Sequence, residues 1–259
     1  MSDRAAVRLH RPLITAKGGF WLLLAAALCA GFVLLGNWQL RRLSWKLKLI
    51  HDVSTRVQAP PEAPPGPSLW PTIREGHLQY LHVRINGQFM ATPPTLVHGT
   101  SPDGYGYWLM APFRTEDGFI VLVNRGYVPA SWGLADAAPK LISPPDVRTV
   151  TGLLRFTEPK GGFLRSNQPA TGQWYSRDVD AISAAQGLPT GLVAPYFVDA
   201  DAHPGTSRWP AGGLTKIHFR NSHLGYAMTW YGMALTVLIG TAWLTWRGLR
   251  SPHPAATDT

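Results

Sequence analysis

The sequence predicts a membrane protein of α+β class, with two transmembrane helices flanking a mainly β soluble domain that carries one short helix. Three observations carry this. Residues 18–40 hold no charged side chain, and neither does the interval between Arg220 and Arg247; each exceeds the roughly 20 residues that a helix needs to cross a hydrocarbon core. Between these two runs, short apolar–polar alternations are punctuated by Gly, Pro, Asn and Asp, which is the pattern of strands and turns. In that same interval only one segment, 177–186, has helical start and stop signals: Ser176 or Asp178 as N-cap and Gly187 as stop.

Taken in order, residues 1–18 form a basic tail and 19–38 the first transmembrane helix, with Trp21 and Trp38 as anchors at its two ends. A basic stretch before an apolar run is also how a cleaved signal peptide begins, but this run is long enough to span, and we read an uncleaved anchor. Leu40, Leu43, Leu47, Ile50 and Val57 then recur at helical spacing among basic residues. That pattern fits an amphipathic extension docking on the next domain, or a basic collar at the bilayer surface. With the proline-rich stretch that ends any helix there, the extension and linker occupy 39–71.

The β-rich domain covers 72–222, with strands expected near 79–89, 95–99, 105–114, 118–128, 148–157, 193–199 and 214–220. Glu116-Asp117-Gly118 suits the turn of a hairpin between the third and fourth of these. The second transmembrane helix covers 223–246, and 247–259 is a polar tail. Charge counting leaves the orientation open, because basic residues flank both faces of the membrane.

The net charge of +9 raises nucleic acid as a partner, but the basic residues sit beside the apolar runs, as in Arg41, Arg42, Lys46 and Lys48. That placement suits lipid phosphates, and no nucleic-acid motif accompanies it. The single cysteine, Cys29, excludes an intramolecular disulfide, a CxxCH haem attachment and a CxxC site. No GxSxG, HExxH or nucleotide loop is present, so the chain does not read as an enzyme.

The residues that bear chemistry gather in Asn221-Ser222-His223-Leu224-Gly225-Tyr226-Ala227-Met228-Thr229-Trp230, at the mouth of the second helix. At helical spacing His223, Tyr226 or Ala227, and Trp230 share one face. An imidazole there with aromatic rings deeper in the membrane suits the iron of a hydrophobic porphyrin, although spacing alone favours an interfacial aromatic belt with the histidine bonded to headgroups or backbone. Arg41, Arg42, Lys216 and Arg220 fall near the same membrane face, where they suit porphyrin carboxylates or lipid phosphates. Asn124-Arg125-Gly126 ends an apolar strand, with Arg125 expected as a structural hydrogen-bond fork. His77, His82, His98, His203 and His218 have no repeated ligand spacing.

Four ordered blocks carry a resemblance. They are Gly36-Asn37-Trp38-Gln39-Leu40-Arg41-Arg42, Val83-Arg84-Ile85-Asn86-Gly87-Gln88-Phe89, Val121-Leu122-Val123-Asn124-Arg125-Gly126-Tyr127-Val128-Pro129 and the His223 block above. In this order between two spans they resemble the Surfeit locus protein 1 family, with Tyr127 standing where the family has tryptophan and Gly225 where glutamine is common. The resemblance implies a multi-pass protein of the inner (cell) membrane whose termini are cytoplasmic and whose central domain lies in the periplasm. It implies assistance to assembly of cytochrome c oxidase, with subunit I, other assembly factors and membrane lipids as partners. It further implies transient binding of haem a, with His223 as the metal ligand and Tyr226, Trp230, Arg41, Arg42 and Arg220 around the cofactor. The alternative is a cofactor-free membrane scaffold that stabilises an oxidase assembly intermediate.

Overall fold

The computed structural model describes residues 16–73, 78–132, 147–159, 165–202, 209–215, 217, 219 and 221–250. The chain divides into two compact units, one of Met1–Ile50 with Phe219–Thr259 and the other of His51–His218.

In the first unit, helix α1 (Ala16–Gln58) runs unbroken from the apolar stretch through the basic one, and α3 (His223–Arg250) supplies the second apolar helix. Both are long and apolar enough to cross a membrane. At ~1.5 Å per residue α1 is ~65 Å long, about twice a hydrocarbon core, so its second half extends past what a span requires. The less exposed positions of α1 are Leu22, Ala25, Cys29, Phe32, Gly36, Gln39, Leu43 and Lys46, and those of α3 include His223, Ala227, Trp230, Ala234, Val237 and Thr241. Alternating steps of three and four make a seam of period 3.5 on each helix, the pattern by which two helices pack along their length.

The seams run antiparallel. Phe32 stacks on Trp230 with centroids 5.9 Å apart, Cys29 Sγ lies 3.9 Å from the Ala234 carbonyl, and Tyr231 donates to Asn37 Oδ1 at 2.7 Å. Gly36 leaves room for a neighbour: a Cβ there would lie 2.7 Å from the Tyr231 ring, which would have to shift. Small residues that let backbones approach are the usual means by which apolar helices associate.

The second unit is a β-barrel. Its strands are β1 (His82–Phe89), β2 (Thr95–Ser101), β3 (Gly104–Thr115), β4 (Ile120–Pro129), β5 (Val147–Phe156) and β6 (Val193–Ala200). The order is β1-β5-β6-β4-β3-β2, and β1 also pairs with β3 through Gly87↔Thr115 and Phe89↔Phe113. That extra pairing closes β1, β5, β6, β4 and β3 into a ring and leaves β2 outside on β3. Only β4 and β6 run parallel. Six of the seven expected strands fall on these elements.

At the seventh, 214–220, the described residues are not in a strand. Just before it Gly213 N–H donates to the Ala200 carbonyl, and within it the Thr215 hydroxyl donates to Asp199. Lys216, Arg220, His77, His203 and His218 lie outside the described residues.

Alternation divides the strand residues between two cores. Val83, Ile85, Phe89, Phe113, Val121, Val123, Val150, Leu154, Tyr196 and Val198 face inward and fill the ring. Ile120, Leu122, Phe197, Val97 and Met110 face out and are covered by Trp174 and by helix α2 (Val179–Ala185) with Val179 and Ile182. Asp178 caps α2 by accepting from Ala181 N at 3.1 Å, as expected. One end of the ring is stoppered by Trp70, set edge-on against Phe119 at 5.8 Å. Trp70 belongs to a 3-10 turn (Pro67–Thr72) held on the barrel by the Pro65 carbonyl, which accepts from Trp70 Nε1 at 3.0 Å and Tyr196 Oη at 2.6 Å. The proline-rich stretch, read as a linker, thus packs as part of the domain. So does the end of α1, where Val53 is buried and Arg56 donates to the Gln79 carbonyl at 2.9 Å.

Candidate functional site

His223 opens α3, with its backbone N–H bonded to Asn221 Oδ1 at 3.4 Å. Its Nδ1 lies 2.8 Å from Oε1 of Gln39, which is buried in the seam of α1. The amide oxygen only accepts, so Nδ1 carries a proton, and in the neutral ring Nε2 keeps its lone pair. Nε2 has no hydrogen-bond partner among the described residues. A histidine whose far nitrogen donates to a carbonyl oxygen is oriented as metal-bound histidines are, with tautomer and ring plane fixed by the second partner. His223 is thus a residue that would fit a haem iron through Nε2, and it is half-buried at the seam.

The other expected site residues are distributed unequally. Ala227 is 1% exposed and continues the His223 seam, whereas Tyr226 is 56% exposed and leaves it. Trp230 lies in the seam one turn deeper, against Phe32. Arg41 and Arg42 are exposed, Arg42 stacking over Trp45 at 4.3 Å, and Lys46 sits 4.9 Å above the Phe219 ring. The sequence reading passed over Gln39 as a partner of His223. The signal for it was the 3.5-residue period of both apolar runs, which pairs Gln39 with His223 as it pairs Phe32 with Trp230.

A second polar cluster lies on the outer face of the barrel. Asp199 is 4% exposed and accepts from Asn124 Nδ2 at 2.8 Å, Thr215 Oγ1 at 2.9 Å and both Arg155 and Arg177 at 3.1 Å. Glu158 bridges the same two arginines at 3.2 and 2.6 Å. Burial by itself would lower the Arg177 guanidinium, but Asp199 and Glu158 outweigh it and hold the pKa above its ordinary value. Two carboxylates answer two guanidiniums here, so the cluster is internally neutral and its carboxylates are committed to holding cations. Asp178 and Asp180, on α2, bear the capping role and an exposed face. Among the described residues no group of three His, Cys, Asp or Glu side chains converges to hold a metal ion.

The model of the SURF1 family matches residues 26–235. The mouse (Mus musculus) protein named Surfeit locus protein 1 is 33% identical over 230 residues, covering 83% of this chain and 71% of its own. Its Homo sapiens counterpart is 31% identical over 217 residues, covering 77% and 69%. A SURF1-like protein of Caenorhabditis elegans is 29% identical over 230 residues, covering 79% and 68%.

Proposed function

This chain belongs to the SURF1 family, and on that premise we propose that it is a non-enzymatic assembly factor for cytochrome c oxidase that binds haem a transiently through His223. The two apolar helices cross the inner membrane, the tails are cytoplasmic, and the barrel stands in the periplasm, where it meets the oxidase's subunit I and other assembly factors. The observation that carries the haem reading is the bond from His223 Nδ1 to Gln39. In the neutral ring it selects the tautomer whose Nε2 offers its lone pair.

Haem, when bound, would supply an iron centre and a large apolar ring, and His223 would hold the iron through Nε2. Trp230, steadied by Phe32, offers an aromatic surface two turns deeper, and lipid covers what apolar area the protein does not. Arg41, Arg42 and Arg220 are the proposed partners of the propionates, and Tyr226 presents its exposed ring on the lipid side of the helix mouth. The same polar ladder, Gln39 with His223 and Asn37 with Tyr231, also suits a cofactor-free scaffold in which these bonds only clamp the helix pair.

One experiment separates the two readings. The full-length protein is purified in detergent from cells that synthesise haem a, its absorption spectrum recorded and the porphyrin extracted. Haem a in the preparation supports the carrier reading; a preparation free of porphyrin, from cells in which the chain still restores oxidase, supports the scaffold.

A further inference from the structure

We propose that Gln39 is a positioning residue that sets the strength of His223 as an iron ligand. Its uncharged amide holds the ligating tautomer without the electron push of a carboxylate, and so tilts the site toward ferrous over ferric haem. The inference rests on the haem reading above and names a control built into that same site.

Gln39 is a polar residue in a row of small and apolar seam positions on α1: Cys29, Phe32 and Gly36 precede it and Leu43 follows. It is 9% exposed, and a buried amide costs free energy unless its polar atoms are bonded. Its oxygen is bonded to His223 Nδ1 at 2.8 Å, across the seam to α3. Both helices belong to one compact unit. Nearby contacts hold the two backbones together: Tyr231 donates to Asn37 Oδ1 at 2.7 Å, and Phe32 stacks on Trp230 at 5.9 Å. The acceptor is thus presented to the imidazole from a helix that is itself fixed.

The identity of the acceptor decides how strongly Nε2 donates. An N–H bonded to a carboxylate shares its proton with a negative oxygen, which gives the ring imidazolate character and raises its basicity. A more basic ligand favours the more highly charged ferric iron, one of the ways in which a protein tunes haem through hydrogen bonds to the axial ligand. An amide oxygen orients the ring in the same way but carries no net charge, so the push is smaller. Residues 16–50 and 219–250 contain no aspartate or glutamate, so neither helix segment has a carboxylate to put in its place. A ligand of moderate strength also suits a cofactor that is held only transiently.

The test uses the full-length protein in detergent, with its histidine rings labelled with nitrogen-15, both free of haem and loaded with haem a. The His223 signals are assigned by their loss in His223→Ala and recorded for the neutral ring. Without haem they are expected to report the Nδ1–H form. Gln39→Leu, which removes the acceptor, should move them toward the Nε2–H form and weaken haem a binding about tenfold or more. Gln39→Glu should keep haem a and favour its ferric state by about tenfold, which lowers the midpoint potential by about 59 mV. Tyr231→Phe breaks the neighbouring interhelical bond and should move neither tautomer, affinity nor potential. Gln39→Leu with an unchanged tautomer and unchanged haem a affinity would overturn the proposal. So would equal effects of Gln39→Leu and Tyr231→Phe, which would make the bond a clamp on the helix pair and nothing more. A potential in Gln39→Glu at or above that of the unsubstituted protein would overturn the ferrous preference. An unsubstituted protein that takes up no haem a would overturn the haem reading itself, an outcome that the tautomer measurement keeps apart from a failure of Gln39.

Discussion

Replacing Asp199 with alanine should remove a large part of the barrel's stability. The carboxylate is 4% exposed and accepts from Asn124, Thr215, Arg155 and Arg177 at 2.8 to 3.1 Å. Counting charge-assisted hydrogen bonds at ~1.5–3 kcal/mol each would rival the ~5–15 kcal/mol of a whole domain, so these bonds are not additive. The better guide is the cost of orphaning one member of a buried ion pair, about 3–5 kcal/mol. Glu158 remains to hold both guanidiniums, which places Asp199→Ala at the lower end, about 3 kcal/mol. With a urea slope of about 2 kcal/mol per molar, the midpoint falls by about 1.5 M.

The assay is urea unfolding of the full-length protein in detergent, followed by near-ultraviolet circular dichroism of the buried Tyr196 and Trp174. Asp199→Leu combined with Arg177→Met should recover part of the loss, because the second change removes a cation that the first one strands. A loss under about 1 kcal/mol for Asp199→Ala would refute the reasoning and mark the network as solvated in solution.

Two further outcomes follow from the helix pair. Cys29 Sγ is 3.9 Å from the Ala234 carbonyl, so Ala234→Cys should form a disulfide with Cys29 under mild oxidation, read as a mobility shift reversed by reductant; Leu235→Cys, on an exposed position, should not. For the proposed orientation, alkaline phosphatase fused near Pro64 should be active and the same reporter after Arg250 silent, and the reverse pattern would place the barrel in the cytoplasm.

Much of the architecture was legible because local signals and tertiary demands agreed. The strands of the barrel announce themselves by alternation, as in Val83-Arg84-Ile85-Asn86, or by an apolar run closed by turn residues, as in Val121-Leu122-Val123 before Asn124-Arg125-Gly126, and of the two caps expected for α2, Ser176 or Asp178, it is Asp178 that serves. Closure of the ring was not legible, because the pairing of β1 with β3 spans only Gly87–Phe89 and leaves no local trace. The Asp199 cluster was also hidden. Its members lie in β4, β5, β6 and three loops, and nothing in the spacing of Asn124, Arg155, Glu158, Arg177 and Thr215 announces a common partner.

At the candidate site the sequence pointed to His223 and Trp230 but could not choose between Tyr226 and Ala227. Helical spacing of three and four admits both; only the facing helix decides, and Gly36 with Ala227 makes room for close approach. Gln39 went unrecognised because the 3.5-residue period places it on the seam of its own helix, while the register that sets it against His223 comes only from the facing helix.

The haem-carrier account is tested most directly by the ratio of haem a to protein in purified His223→Ala against the unsubstituted chain. The change removes the ring nitrogen that Gln39 orients and few packing contacts, since His223 begins its helix and is only half-buried. The account predicts a sharp fall in bound haem a with the protein still inserted and folded. His223→Met should recover part of the haem with an altered spectrum, because a thioether is also an axial ligand. A full haem a complement with an unchanged spectrum in His223→Ala would contradict the account.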